Sequence, residues 1–280
     1  MKEVHSMENL FKALEVSCSG YYDWRARQSC PCARKQVDQQ LIPVIRNIYE
    51  ASRHNYGSPR VHHQLKKKGF RHGRNRVARL MKEHGWEGVQ RKRWRIQTTN
   101  SRHDQPIAPN LLAVEPLPVA PNKIWVSDIT YVPTDEGWLY VAGIMDLYSR
   151  KLVGWAMSQT IDAELVLSAL HMAVTHRKPL AGLLHHSDRG VQYACRDYRQ
   201  ALLLAGATPS MSRKANCYDN ASMESFWSTL KTELIYRHRF ESRAQARRLI
   251  FDFIETFYNR ERLHSSLGYN SPLDFENQNN

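Results

Sequence analysis

Hydrophobic residues in the second half of the chain form short runs separated by polar turns. Three consecutive β-rich runs are joined by such turns, which predicts an antiparallel meander. An amphipathic helix opens at Asp162, and two strand–helix pairs come after it. The predicted strands cover residues 124–132, 138–146, 152–157, 183–186 and 209–211. The order βββαβαβα predicts a mixed α/β sheet flanked by helices.

The first hundred residues show helical periodicity instead. Isoleucines at every third position predict a helix over residues 41–51. Ser58 and Pro59 predict the start of a second helix, with Ser58 as its N-cap and Pro59 at the first helical position. A turn from Gly69 to Gly73 then leads to a third helix.

Two helices of about ten residues joined by a short turn between glycines are typical of helix-turn-helix DNA-binding modules. The second helix would contact bases, since Arg bonds the guanine edge and Asn the adenine edge. The candidate DNA-contacting residues are Arg74, Asn75, Arg76 and Arg79. A small helical bundle whose charged face is only solvated would show the same pattern, and both interpretations stay open at this point.

Composition divides the chain into five segments. Five prolines between residues 96 and 122 exclude a helix or a central strand there, so we expect a linker. The second half has the layout of a ribonuclease-H-like domain, which an all-α region precedes. The predicted segments are an accessory helical segment (1–40), a helix-turn-helix DNA-binding region (41–95), a Pro-rich linker (96–122), a ribonuclease-H-like catalytic domain (123–236) and a helical C-terminal extension (237–280).

Charge is distributed unevenly between these segments. The 280 residues hold 40 Lys and Arg against 27 Asp and Glu, a net charge of +13. Residues 1–104 carry 22 basic and 9 acidic side chains, whereas residues 105–280 carry 18 of each sign. The whole surplus therefore lies in the first third of the chain. We expect a polyanion such as DNA to bind there, because each neutralised phosphate releases counterions.

Three acidic residues lie where a metal site requires them. Asp128 interrupts the first strand, where a carboxylate is costly to bury unpaired, and Asp188 ends a buried strand, where open sheets place their ligands. Glu224 lies early in the last long helix, and Lys231 lies within about 20° of the same helical face. Three carboxylates can hold two Mg²⁺ ions. For any one acid, a cap or an ion pair is the simpler explanation.

The sequence also bears on location. No segment approaches the roughly 18 apolar residues that a membrane span requires, and the N-terminus lacks an apolar core of secretory length. We therefore expect a soluble protein of the cytoplasm, without a membrane partner. The five cysteines form no CxxC pair and have no His-x3-His partner, so they predict no zinc site.

Longer motifs give a more specific interpretation. Asp128 in WVSDIT, Asp188 in HHSDRG and Glu224 in DNASMESFWSTLK leave 35 residues between the second and third acids. This pattern resembles the DD(35)E core of transposases related to retroviral integrases. The segments SGYYDWRAR, YGSPRVHHQL, DLYSRKLVGW and YNRERLHSSLGYNSP occur in this order. Together they resemble OrfB, the second-frame product of the insertion sequence 3 family, over about residues 16–275.

The resemblance implies a transposase that nicks DNA at the terminal inverted repeats of an insertion sequence and joins the released 3′-hydroxyl to target DNA. It implies that Asp128, Asp188 and Glu224 are catalytic ligands of two Mg²⁺ or Mn²⁺ ions, and that Lys231 contacts the end DNA. Four residues border this site, where packing is as reasonable a role as catalysis: His185, His186, Tyr193 and Asn220.

The resemblance also implies partners. Members of the family often act as a fusion with an upstream-frame protein, OrfA, that carries another helix-turn-helix and a zipper-like helix. No sustained leucine heptad is present here, so we expect OrfA as a fusion or partner, and a homo-oligomer on DNA. The sequence also lacks the His-His-Cys-Cys zinc module of retroviral integrases.

Two alternative functions come from other classes. One is a non-catalytic DNA-binding regulator of transposition, which the presence of all three acids disfavours. The other is a metal-dependent nuclease without strand transfer, which would use the same three acids.

Overall fold

The computed structural model describes residues 6–29, 32–89, 105–212 and 220–279. The chain forms two compact units that divide between Gly88 and Val89. The end of the predicted helix-turn-helix region and the start of the predicted linker, residues 90–104, lie outside the described residues.

The described part of the first unit contains five helices. They are α1 (Met7–Ala13), α2 (Cys18–Ser29), α3 (Ala33–Ala51), α4 (Ser58–Lys67) and α5 (Arg74–Glu83). The last three pack on one another, because each has one apolar side at helical spacing. Their core contains Leu41, Ile45, Ile48, Val61, Leu65, Val77, Leu80 and Met81. The two predicted helices of the helix-turn-helix are therefore α4 and α5, supported by α3.

Two helix starts in this unit differ from the prediction. Helix α3 begins at Ala33, earlier than predicted. The prediction missed its first turns because residues 33–40 are mostly polar and show no apolar repeat. The predicted boundary after residue 40 thus lies inside α3. The N-cap of α4 is Gly57, so the prediction of Ser58 as N-cap was wrong. Pro59 still lies in the first turn of α4. N–H groups in the first turn have no carbonyl partner within the helix, so a proline there removes no helical hydrogen bond.

The second unit is built on a five-stranded sheet with the order β3-β2-β1-β4-β5. Strands β1, β2 and β3 pair antiparallel, which confirms the predicted meander, and β4 and β5 run parallel to β1. The strands are β1 (Ile124–Thr134), β2 (Gly137–Asp146), β3 (Leu152–Ser158), β4 (Leu183–Ser187) and β5 (Ala207–Met211).

Helices cover the sheet. They are α6 (Ala163–Arg177), α7 (Val191–Ala194), α8 (Arg196–Leu204), α9 (Ala221–Glu233), α10 (Arg243–Asp252) and α11 (Pro272–Gln278). The predicted helix over 191–205 is divided at Cys195, whose backbone is extended. Helix α6 packs on β2 and β3, and α9 and α10 pack on β1 and β2. A buried cluster that includes Trp125, Ile144, Leu170 and Tyr198 joins the sheet to α6 and α8. This layout confirms the ribonuclease-H-like fold class.

The predicted linker is partly attached to the sheet. Met211 at the end of β5 donates its N–H to the carbonyl of Pro109, at 3.3 Å. The N–H of Leu111 donates to the hydroxyl of Ser210, at 2.9 Å. Residues 109–111 therefore follow β5 instead of crossing free solvent.

The predicted C-terminal extension also belongs to the second unit. The side chain of Asn259 accepts from the N–H of Leu152 at 2.9 Å and donates to its carbonyl at 3.0 Å, so it completes the start of β3. In α11, Glu276 is buried and pairs with Arg177 at 2.8 Å and Lys151 at 3.1 Å. These bonds fix residues 237–279 to the sheet. Among the described helices, none is long and apolar enough to cross a lipid bilayer.

Candidate active site

Asp128 lies in the middle of β1, and Asp188 directly follows β4, the strand that runs parallel beside it. The parallel pairing of β1 with β4 matches Val126 with His186, and each Asp comes two residues after its member of that pair. Side chains two residues apart on a strand share a face, and neighbouring strands lie about 4.8 Å apart. The fold thus brings together two acids that lie 60 positions apart in sequence.

The carboxylate of Asp128 is held at both oxygens. Oδ1 accepts the N–H of Ile129 at 2.8 Å, and Oδ2 accepts the indole N–H of Trp227 at 3.1 Å. Burial, followed by repulsion from Asp188, raises the pKa of Asp128 to about 7, although these two bonds oppose the rise and Glu224 adds a smaller repulsion. The three predicted acids are therefore electrostatic neighbours, and Asp128 is costly to ionise without a cation nearby.

Helix α9 places Glu224 and Lys231 along β1. Asn220, its N-cap residue, donates from Nδ2 to the carbonyl of Ser127 at 3.1 Å. Glu224 is exposed, and Lys231 is half-buried with Nζ 5.0 Å from the ring centroid of Tyr131. Burial lowers the pKa of Lys231, while attraction to Asp128 opposes that shift. Both side chains thus interact electrostatically with Asp128.

Trp227 and Gly143, which the sequence analysis did not select, support this arrangement. Gly143 on β2 pairs with Asp128, and a methyl group there would lie 3.0 Å from Cη2 of Trp227 and 3.1 Å from Cε of Met223. The missing side chain lets the indole lie flat on the sheet, from where it reaches Asp128. A glycine within a strand is unfavourable and often marks a close approach, so Gly143 carried a usable signal.

A tight turn follows Asp188. Its Oδ1 accepts the N–H of Gly190 at 2.8 Å, and a methyl group on Gly190 would lie 2.9 Å from that oxygen. The glycine therefore allows the chain to fold back over the carboxylate, which fixes the position of the carboxylate at the end of β4.

The bordering residues form a buried layer beneath the acids. His185 Nε2 lies 3.0 Å from the hydroxyl of Tyr198, and burial lowers the pKa of His185 to about 3, so the ring is neutral. His186 Nδ1 lies 2.9 Å from the hydroxyl of Ser210. Tyr193 is also buried, against Tyr198. These contacts support a packing role for the two histidines and for Tyr193.

The four candidate DNA-contacting residues of α5 are in different situations. Arg74 and Asn75 are exposed at the start of the helix. Arg79 instead pairs with Asp38 of α3 at 2.6 Å and with Glu83 at 2.7 Å. Arg76 lies 3.5 Å from the same Asp38. Asp38 falls in the predicted accessory segment, so no sequence pattern indicated this partner. Part of the charge on α5 thus stabilises the helical unit.

The acids fit a divalent cation that is bound partly by water and substrate. Within the described residues, no three His, Cys, Asp or Glu side chains are gathered closely enough to form a complete cage. Mg²⁺ does not require one, because it keeps several waters and usually takes one or two carboxylates with substrate phosphates. The raised pKa of Asp128 is the observation that favours a cation at this place.

Family models match both units of the chain. An HTH-like domain matches residues 36–94, which confirms the helix-turn-helix interpretation over the helical bundle. Two integrase core domain models match residues 118–217 and 205–272. The second of these reaches into the predicted C-terminal extension, in line with its attachment to the sheet.

Similar proteins match over nearly their full length. The uncharacterized 31 kDa protein of insertion element IS600 from Shigella sonnei is 48% identical over 93% of this chain and 94% of its own. Transposase InsF for insertion sequence IS3A from Escherichia coli (strain K12) is 38% identical over 98% of this chain and 95% of its own. A chain in the cryo-EM structure of the simian T-cell lymphotropic virus intasome with PP2A regulatory subunit B56 gamma aligns over 82% of this chain and 73% of its own, at 13% identity and a TM-score of 0.49. Given the identity and coverage of the first two relatives, the chain belongs to the insertion sequence 3 family of transposases, enzymes with an integrase catalytic core.

Proposed function

We propose that this transposase cleaves DNA at the terminal inverted repeats of its insertion sequence and joins the freed 3′-hydroxyl to target DNA. Asp128, Asp188 and Glu224 are the proposed catalytic metal ligands. The observation that supports the proposal is the closeness of Asp128 on β1 to Asp188 just beyond the end of the neighbouring parallel strand β4, where burial and repulsion from Asp188 raise the pKa of Asp128 to about 7. A site that makes an acid costly to ionise is suited to bind a cation there.

The proposed cofactor is Mg²⁺ or Mn²⁺, as a pair of ions. When bound, two such ions activate the attacking oxygen and stabilise the leaving oxygen of a phosphoryl transfer. The chain itself orients the ligands: Ile129 and Trp227 hold the carboxylate of Asp128, and Gly190 holds that of Asp188. Lys231 supplies a half-buried positive charge beside them, suited to a phosphate of the end DNA.

The first unit is the proposed module for binding the terminal repeats. Arg74 and Asn75 are its candidates for base contacts, since both are exposed at the start of α5. The surplus of 13 positive charges over residues 1–104 supports binding to the DNA backbone. We further propose that OrfA, as a fusion or partner, and additional copies of this chain complete the DNA complex. We also propose that it acts in the bacterial cytoplasm, where its DNA substrate would lie.

The test incubates the full chain with labelled terminal-repeat DNA, a target duplex and Mg²⁺ or Mn²⁺. Asp188→Asn removes one proposed ligand, and Asp197→Asn is the matched control, because Asp197 is exposed in the first turn of α8. We expect joined products from the wild type and the control but none from Asp188→Asn. Equal joining by both variants would contradict the metal-ligand assignment.

The same experiment separates the alternative functions. Nicked DNA without joined products, at any metal concentration, would favour a nuclease. Specific binding without nicking, also when OrfA is supplied, would favour a regulator of transposition.

A further inference from the structure

Exposed aromatic rings surround the outer end of β1, next to Lys231. Trp138 on β2 is 49% exposed and meets Tyr131 edge to face, with ring centroids 4.9 Å apart. Tyr236, in the short helical turn after α9, is 53% exposed. It lies close enough to Tyr131 to add, after burial, to the raised pKa of that phenol. These three rings, Tyr131, Trp138 and Tyr236, are called the aromatic surface.

The aromatic surface is continuous with the proposed catalytic site. Lys231 Nζ lies 5.0 Å from the ring centroid of Tyr131, and the same ammonium group attracts Asp128. Tyr131 follows Asp128 by three residues on β1, so the two side chains start from opposite faces of the strand, and Lys231 is the group that lies near both. A nucleotide whose phosphate lies at Lys231 can therefore reach the acids on one side and the rings on the other.

A hydrogen bond from α10 fixes the backbone of Trp138. Arg243 of α10 donates from Nε to the carbonyl of Trp138 at 3.0 Å, and its own N–H donates to Glu136 at 2.8 Å. Arg239 pairs with Asp135 at 3.2 Å. Each acidic residue of the β1–β2 turn thus has a partner: Asp135 pairs with the Arg239 guanidinium, and Glu136 accepts the backbone N–H of Arg243.

We propose that the aromatic surface binds unpaired nucleotides at the DNA end by stacking, with Lys231 on the adjoining phosphate. The proposal deepens the proposed function and rests on it, since it names a second contact for the same DNA. Aromatic rings beside a cation suit single-stranded nucleic acid, because every base has a face that stacks on an aromatic ring. Exposed apolar groups that are clustered, and not scattered singly, mark binding surfaces. The occupant is therefore a frayed or single-stranded end, bound without regard to its sequence.

The test measures affinity without metal, so that strand cleavage does not enter. The full chain is titrated in EDTA, by fluorescence anisotropy, with a labelled blunt terminal-repeat duplex and with the same duplex carrying three unpaired nucleotides. The double variant Trp138→Ala/Tyr236→Ala removes the exposed rings. Phe251→Ala is the matched control, because this α10 ring is 52% exposed and packs on Trp155 instead.

We expect the wild type and Phe251→Ala to prefer the extended duplex. The double variant should bind the extended duplex about tenfold more weakly, which corresponds to one lost stacking contact, and the blunt duplex within about twofold of wild type. Trp138→Phe keeps an aromatic ring and should retain the preference for the extended duplex. That result would show that the weaker binding of the double variant does not come from misfolding. No preference in the wild type, or an equal loss on both duplexes in the double variant, would overturn the proposal. Because joining is not measured, a failed strand-transfer assay leaves this result intact.

Discussion

The indole N–H of Trp227 donates to Oδ2 of Asp128 across 3.1 Å and so ties α9 to the central strand of the sheet at the proposed metal site. Trp227 follows Glu224 by three residues on the same helix. The bond therefore fixes the distance between a strand acid and a helix acid. It also leaves the remaining lone pairs of Asp128 in a defined orientation.

Trp227→Phe should reduce DNA joining while leaving the fold intact. The phenyl ring keeps an aromatic side chain in the buried site but gives up part of the contact with Gly143, and Asp128 loses one of its two donors. A hydrogen bond to a charged group contributes about 1.5–3 kcal/mol, so the Mg²⁺ concentration for half-maximal joining should rise about tenfold. Raising the pH should relieve part of the defect, because loss of a donor raises the pKa of Asp128 further.

Trp155→Phe is the matched control for this change. The indole of Trp155 also donates to a carboxylate, Glu255, at 2.7 Å, but it lies on β3. We expect its Mg²⁺ requirement to equal that of the wild type. An equal shift in both variants would show that the effect is a general loss of stability.

Gly143→Ala should disturb the same contact from the opposite side. The new methyl group would lie 3.0 Å and 3.2 Å from two ring atoms of Trp227, closer than ordinary van der Waals contact. Such overpacking costs about 1–3 kcal/mol, and the displaced indole should lose its bond to Asp128. Chemical denaturation should show the stability loss and a joining assay a drop of at least tenfold. Full activity in a destabilised variant would argue against a role for the indole.

Two arginines of α5 should behave differently when they are replaced. Arg74→Ala removes an exposed side chain, so affinity for terminal-repeat DNA should fall about tenfold at an unchanged melting temperature. Arg79→Ala removes the partner of the buried Asp38 and should lower the melting temperature of the first unit. Binding and melting curves of both variants test this contrast. A large affinity loss with unaltered melting in Arg79→Ala would restore that residue to the DNA contact surface.

The buried acid of α11 should give the second unit a defined pH dependence. Burial alone would raise the pKa of Glu276, but hydrogen bonds from Arg177 and Ser149 outweigh it, and the pKa is lowered from 4.5. A lowered folded-state pKa means that this stabilisation is present above about pH 4.5 and is lost as the pH falls through the folded-state value.

Glu276→Gln should therefore destabilise the protein by about 2 kcal/mol at pH 7. The difference from wild type should shrink as the pH falls below 4.5 and through the lowered folded-state pKa of Glu276. Asp274→Asn, an exposed position on the same helix, should change the stability by less than about 0.5 kcal/mol. Urea unfolding at several pH values measures all three proteins. A deficit that is constant down to pH 3 would mean that the lost contact is not ionic.

Local patterns were sufficient to predict the meander and the three acids. Alternating apolar residues in β1 and β2 reveal strands without any knowledge of their neighbours, and an Asp inside such a run is conspicuous. The placement of Asp188 followed from the rule that ligands gather at the carboxyl ends of strands. Each of these inferences uses a few neighbouring residues only.

What the patterns did not reveal depends on contacts between distant parts of the chain. Trp227 reaches Asp128 across 99 positions, and Arg79 reaches Asp38 across 41. Nothing in the sequence near Arg79 distinguishes a residue that faces DNA from one that faces α3. The start of α3 was missed for a different reason, since a polar helix has no hydrophobic repeat to detect.

Asn259 completes the first residue of β3, although more than a hundred positions separate them, and Glu276 lies later still. The sheet is therefore finished only when the chain has been synthesised beyond residue 259. A truncated chain that ends before Asn259 would contain the helix-turn-helix unit with an unfinished catalytic domain. Such a truncated product would occupy terminal repeats without joining them. Decaying copies of the element would thus become dominant-negative inhibitors of the intact ones, and mobility would decline as mutations accumulate.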